Sequence, residues 1–149
     1  MRGDYAEAEK QYKAALNLAK QNGSENPNFI FAAGDLARLY SVEKRDVEAE
    51  TLFRQRLSIG ERIWIREPES LLFLYDDLAM FYLLRDKYDD AHPLYLKSLD
   101  LRAKAFGVNA IQVAQGLELY AALLKGMQHE QEGLEMEARA KAIRGKGTQ

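Results

Sequence analysis

Few side chains in this chain have the types and spacing that catalysis or metal binding requires. The two histidines are His92, beside Pro93, and His129. Neither belongs to an HExxH motif, and no glycine-rich phosphate loop or carboxylate ladder with ligand spacing accompanies them. Both are therefore expected to be surface residues of helices. From the sequence we therefore expect a chain that is not an enzyme and that binds neither a cofactor nor a metal ion.

Two other conspicuous features have ordinary structural explanations. Asp89 and Asp90 fall where the first turn of a helix is expected, and acidic side chains there favour the positive end of the helix dipole. Trp64 lies near a predicted helix end, where a core or inter-repeat contact is the expected role rather than a ligand platform. Neither feature requires a bound ligand.

Composition excludes several function classes. The net charge is −2, with acids and bases interspersed, so neither nucleic acid nor a membrane is a predicted partner. Cysteine is absent, which excludes disulfides, zinc–thiolate sites and cysteine nucleophiles. No apolar run of about 18 residues and no N-terminal signal segment occurs. We predict a soluble, cytoplasmic chain, unless it is a fragment whose targeting segment lies elsewhere.

The elements that would position any site follow a period of about 42 residues. An Ala-x3-aromatic-x3-Leu pattern begins at Ala8, Ala49 and Ala91. A second apolar block, in step with the first, begins at Leu36, Leu78 and Tyr120. Two helical patterns alternating at one period predict stacked helical hairpins, which form binding surfaces more often than active sites.

Apolar periodicity and turn residues together predict seven helices and no strand. The expected helices span 4–20, 28–43, 46–64, 69–85, 87–106, 110–126 and 129–144. In each hairpin a small residue of the first helix should face a small residue of the second, because two helix axes approach closely there. These pairs are Ala37 with Ala49, Ala79 with Ala91, and Ala121 with Gly133. The aromatic residues Tyr40, Tyr82, Phe53 and Tyr95 should fill the wider space beside them.

These patterns resemble the tetratricopeptide repeat (TPR), in the 42-residue form found in kinesin light chains and many bacterial proteins. Residues 86–99 are most similar to the second helix of that repeat, and residues 120–124 with 137–144 resemble the closing repeat of bacterial members. The resemblance implies an all-α, right-handed superhelix (α-solenoid) of antiparallel helical hairpins. It implies one domain at 1–144, with a half repeat at 1–25 and full repeats at 26–67, 68–108 and 109–144. Residues 145–149 are expected to be a disordered tail.

The resemblance also implies a binding surface, because the first helices of this fold line its concave face. By the repeat phase, we expect the groove to contain Phe31, Gly34, Asp35, Arg38, Ser41, Phe73, Asp76, Asp77, Met80, Leu83, Gln115, Glu118, Leu119, Ala122 and Lys125. Four carboxylates against two bases make this set acidic, and Asp35, Asp76 and Asp77 are expected to be exposed. A solvated acidic face, or contacts to the protein's own flanking repeats, would explain the same set.

One departure from the family concerns its peptide preference. Kinesin light chains usually carry Asn-Asn before Leu-Ala, whereas this chain has Gly-Asp, Asp-Asp and Glu-Leu at those places, so that preference is not carried over. Some proteins of this family bind the C-terminal carboxylate of chaperones through several basic residues in the groove. In the groove predicted here Arg38 is nearly alone among acidic residues, so that ligand is not expected. We therefore predict a protein or peptide partner of basic or mixed charge. The alternative is a structural spacer within a longer repeat array, with any activity in a fused domain.

The N-terminal helix carries an apolar stripe that a preceding first helix would normally cover. The stripe consists of Tyr5, Ala8, Tyr12, Ala15 and Leu16. An open stripe at a solenoid end is a solubility liability. The sequence therefore predicts either truncation from a longer array or self-association through helix 4–20.

Overall fold

The computed structural model describes residues 2–23 and 27–146, and these form seven α-helices without a strand. The helices are α1 (Arg2–Gln21), α2 (Pro27–Val42), α3 (Asp46–Ile63), α4 (Pro68–Leu83), α5 (Tyr88–Phe106), α6 (Ile111–Gly126) and α7 (Glu130–Lys146). Their ends lie within two residues of the predicted ones. The expected tail was placed too early, because α7 includes Gly145 and Lys146; residues 147–149 lie outside the described residues. No helix in the described part of the chain is long and apolar enough to span a bilayer.

The turn inside each hairpin has one geometry that recurs through the chain. Lys44, Asp86 and Gln128 each adopt a left-handed backbone conformation, with φ of 62°, 55° and 65°. The next residue then donates its backbone N–H to a carbonyl near the end of the preceding helix, as in Arg45 to Tyr40 at 2.9 Å. A left-handed residue of this kind ends a helix and reverses the chain. The repeat is therefore visible in the backbone as well as in the sequence.

The chain divides into two compact units, Met1–Arg66 and Glu67–Gln149. In the first unit, α2 packs against both α1 and α3. In the second, α5 packs against α4 and α6, and α6 packs against α7. The predicted aromatic residues are buried here: Tyr40 and Phe53 in the first unit, Tyr82 and Tyr95 in the second.

Small residues lie where the hairpins were predicted to need them. Ala37, Ala49, Ala79, Ala91 and Ala121 have no exposed surface, and Gly133 is buried. A β-carbon added to Gly133 would lie 3.1 Å from the carbonyl oxygen of Ala121 on α6. That distance is tighter than ordinary van der Waals contact. The predicted packing of α6 on α7 through small residues is therefore confirmed.

An ion-pair network joins α1 to α2 in the first unit. Glu9 of α1 accepts hydrogen bonds from Tyr40 Oη and Arg45 Nη1, each at 3.0 Å, and lies 2.7 Å from Lys13 Nζ. The Lys13 hydrogen bond, reinforced by Arg45 and Tyr40, lowers the pKa of Glu9 from 4.5 to about 2. On the same helix Leu16 is buried, whereas Tyr5 and Ala15 of the predicted apolar stripe are exposed. The stripe is thus only partly covered by α2.

Candidate peptide-binding surface

One face of α2 combines an exposed aromatic ring with an ion pair. Phe31, Asp35 and Arg38 are spaced at i, i+4 and i+7, so they share one side of the helix. Phe31 is 54% exposed, and its ring centroid lies 6.3 Å from that of Trp64 at the end of α3. Arg38 Nη2 donates to Asp35 Oδ1 at 2.6 Å. We call these three residues the outer row of α2.

The positions equivalent to this outer row are less exposed on α4. Phe73, Asp77 and Met80 occupy them, and all three are half-buried. On α6 the equivalent positions hold Gln115 and Ala122, which are exposed, and Leu119, which is half-buried. Lys125 on the same helix donates to Glu137 of α7 at 2.7 Å. A large exposed aromatic side chain is therefore a property of α2 within this predicted set.

A second set of predicted groove residues turns toward the partner helix of its own hairpin. This inner row consists of Gly34, Asp76 and Glu118, one repeat apart. A β-carbon at Gly34 would come 2.9 Å from the guanidinium carbon of Arg56, a buried residue of α3. The absence of a side chain at Gly34 is thus what leaves room for Arg56.

Asp76 corrects the expectation of an exposed carboxylate. Its side chain is only 25% exposed and accepts hydrogen bonds from Ser98 Oγ and Arg102 Nη2 of α5. Arg102 is itself buried and also donates to the carbonyl oxygen of Gln112 on α6. Burial raises the pKa of Asp76, and the Ser98 and Arg102 contacts oppose that rise. Asp76 therefore belongs to the hairpin interface.

Glu118 makes the same kind of pair one repeat later, but in contact with solvent. Both of its carboxylate oxygens accept hydrogen bonds at 2.8 Å from Arg144 of α7. The Arg144 hydrogen bonds lower the pKa of Glu118. Its side chain is 45% exposed. Since Asp35, Asp76 and Glu118 each contact an arginine, the surface that was predicted to be acidic is electrostatically mixed.

The two histidines occupy different surroundings. His92 is half-buried, and its Nε2 lies 2.7 Å from Tyr120 Oη, which joins α5 to α6. The expectation of a plain surface residue is therefore wrong for His92. His129 is exposed and lies 3.2 Å from Glu132. Among residues 2–23 and 27–146, no group of three His, Cys, Asp or Glu side chains is arranged to hold a metal ion.

Comparison with known proteins agrees with this architecture. The tetratricopeptide repeat family matches residues 74–109, which include α5 and most of α4. No curated protein sequence matches the chain. Repeats of this family generally mediate protein–protein interactions and are generally non-catalytic.

Solved structures share the fold over nearly the whole chain. The crystal structure of BtubC (BKLC) from P. vanneervenii superposes with a TM-score of 0.87 at 20% identity, over 98% of this chain and 59% of that one. A kinesin-light-chain structure with nearly identical TPR-like repeats from Podosopora anserina gives 0.83 at 22% identity, over 98% and 70%. The chain thus spans about three fifths of the first of these relatives. The resemblance of residues 120–124 and 137–144 to bacterial members of the family implies a bacterial origin for this chain, which stays a prediction. The chain therefore has the all-α fold of these two structures, and part of it, residues 74–109, matches the tetratricopeptide repeat.

Proposed function

We propose that this chain is a protein-interaction module that binds a peptide or helical segment of a partner protein against a first-type helix, which is the first helix of a hairpin (α2, α4 or α6); the other helices are second-type. The outer row of α2 is the proposed centre of that site. The exposure of Phe31 carries the proposal, because a large aromatic side chain that is more than half exposed on a helix is the kind of residue that dominates binding energy. The ring of Trp64 lies beside that of Phe31, tilted by 53°, and would enlarge the aromatic surface.

The chemistry of the outer row indicates the chemistry of the ligand. Phe31 would take an apolar side chain, while Asp35 and Arg38 present one charge of each sign on the next two turns. A segment that brings both a base and an acid beside its apolar anchor would exchange the Asp35–Arg38 pair for two pairs of its own. We therefore favour a mixed-charge segment over a purely basic one.

The test is selection of peptides on the purified chain followed by affinity measurement. A random displayed-peptide library is panned on the immobilised chain, and an enriched peptide is titrated by calorimetry against wild type and Phe31→Ala. We expect a micromolar Kd that rises at least roughly tenfold in Phe31→Ala, since a central aromatic anchor contributes on the order of 2 kcal/mol.

Val47→Ala is the matched control, because Val47 is also an exposed apolar residue but lies at the start of α3. Its Kd should stay within about twofold of wild type. Failure to enrich any peptide would favour the spacer alternative. Equal weakening by both substitutions would contradict a site on the outer row of α2.

A further inference from the structure

The first unit contains a second concave site, distinct from the outer row of α2. A cavity of about 690 Å³ opens among α1, α2 and α3 and is lined by Lys20, Phe29, Arg54, Gln55, Ser58, Ile59 and Arg62. Phe29 and Ile59 are buried apart from a small area, so they form its apolar floor. A cavity of this size with an apolar floor and a few polar groups is typical of a binding site.

The charged side chains that line this cavity, among the described residues, are all basic. Among the described residues that line it, Lys20, Arg54 and Arg62 are cations and none is a carboxylate. Lys20 Nζ lies 6.0 Å from the ring centroid of Phe29, which places one cation above the floor. This contrasts with the mixed outer row of α2 and with a chain whose net charge is −2. Glu50 pairs with Arg54 at 3.0 Å but does not line the cavity, so the described lining is basic on a slightly acidic protein.

The spacing of the two arginines restricts what can bind there. Arg54 and Arg62 both line the cavity from α3. They are eight residues apart, which is about 12 Å along the helix. Each reaches back by one turn: Arg54 Nε donates to Glu50 at 3.0 Å, and Arg62 Nη1 to the carbonyl oxygen of Ser58 at 3.1 Å. Both side chains therefore extend toward the N-terminal end of α3. Two anionic groups at a matching distance would fit this pair better than one small anion.

We propose that this cavity binds an acidic, extended segment of a protein partner. In an extended chain, residues i and i+4 point the same way and lie about 13 Å apart, and residue i+2 points that way between them. Acidic residues at i and i+4 would meet Arg54 and Arg62, while an apolar residue at i+2 would cover Phe29 and Ile59. The site recognises a Glu-x-Leu-x-Glu type of segment, and this inference is independent of the proposed outer-row site.

Amide chemical shifts of the ¹⁵N-labelled chain provide the test. The probe is a blocked peptide of sequence Ser-Glu-Ser-Leu-Ser-Glu-Ser, titrated to millimolar concentration in low salt. Saturable shifts are expected at residues 20, 29 and 54–62. The peptide with both glutamates replaced by lysine, and the one with leucine replaced by serine, should each bind at least roughly tenfold more weakly.

Two double variants with the same loss of charge separate the site from general attraction. Arg54→Gln with Arg62→Gln should weaken the probe at least roughly tenfold, whereas Arg139→Gln with Lys141→Gln, on the exposed face of α7, should change its Kd less than about twofold. Equal effects of the two double variants would overturn the proposal. So would the absence of saturable shifts at the cavity, or equal shifts there with inorganic phosphate alone.

Discussion

Asp76 and Asp77 are neighbours on α4, yet their carboxylates have different surroundings. A helix turns by about 100° per residue, so only one of two adjacent side chains can face the partner helix. Asp76 faces α5 and is bound by Ser98 and Arg102. Asp77 shares its side of the helix with Phe73 and Met80, at the outer-row positions. A shift of one position along the helix therefore distinguishes Asp76, a structural carboxylate, from Asp77, a candidate binding residue.

The same division holds for the other first-type helices. Gly34 turns toward Arg56, and Glu118 is bound by Arg144, whereas the outer rows beside them face solvent to different degrees. The inner row thus contacts the second helix of each hairpin, and the outer row is the proposed binding surface. Substitutions in the inner row should consequently change the free energy of unfolding, whereas substitutions in the outer row should change the affinity for a partner.

The largest effect expected from this comparison concerns Asp76 itself. Asp76→Ala should lower the free energy of unfolding by about 2–4 kcal/mol, because it leaves the buried guanidinium of Arg102 without its counter-charge. Asp77→Ala is the adjacent control and should stay within about 1 kcal/mol. Urea denaturation of both variants measures the difference. Equal losses would show that the two rows are not distinct.

The small residues of the hairpins offer a second adjacent pair. Ala121 is fully buried against α7, while Ala122 is exposed. Ala121→Leu should destabilise by about 1–3 kcal/mol through overpacking. Ala122→Leu should change stability by no more than about 0.5 kcal/mol. Unchanged denaturation midpoints for both would refute the hairpin register.

The ion-pair network of Glu9 should make the stability of the fold depend on pH. The pKa of Glu9 is depressed to about 2, so its stabilisation is complete above its ordinary pKa of 4.5 and is lost as the pH falls toward 2. Glu9→Gln should therefore be less stable than wild type by roughly 1 kcal/mol at pH 6 and equal to it near pH 2. A difference that stays constant across this range would mean that the charge of Glu9 does not stabilise the fold.

The smallest effect is expected for the exposed member of the inner row. Glu118 and Arg144 pair through two hydrogen bonds, but both side chains are nearly half exposed. Glu118→Ala should cost less than about 1 kcal/mol, since water screens the pair. Thermal unfolding in low and high salt would check this, and a loss as large as that of Asp76→Ala would contradict the role assigned to burial.

The helices and their pairing were predictable because they depend on local periodicity. The two alternating apolar patterns indicated the first six helices, and Ala121 opposite Gly133 followed from the repeat. The surroundings of Asp76 were not predicted, because an error of one residue in the assumed helical phase is enough to exchange a side chain that faces α5 for one that faces outward. The sequence did contain a signal for this ion pair, because the acid and the arginine at Asp76 and Arg102 recur one repeat later as Glu118 and Arg144.

The basic cavity was missed for a different reason. Its side chains come from three helices, and Lys20 and Arg62 carry no pattern in the sequence that relates them. Only the packing of α1 and α3 on α2 brings them together. Sites made by tertiary packing of this kind leave little trace in local periodicity.

The central claim is that the outer row of α2 receives a partner segment while the inner row maintains the fold. Amide shifts of the labelled chain, recorded with a peptide selected on it, test this most directly. We predict that the perturbations centre on Phe31, Asp35 and Arg38 and disappear in Phe31→Ala while the unfolding midpoint is unchanged. Perturbations confined to the second-type helices, or unaltered in Phe31→Ala, would contradict the account.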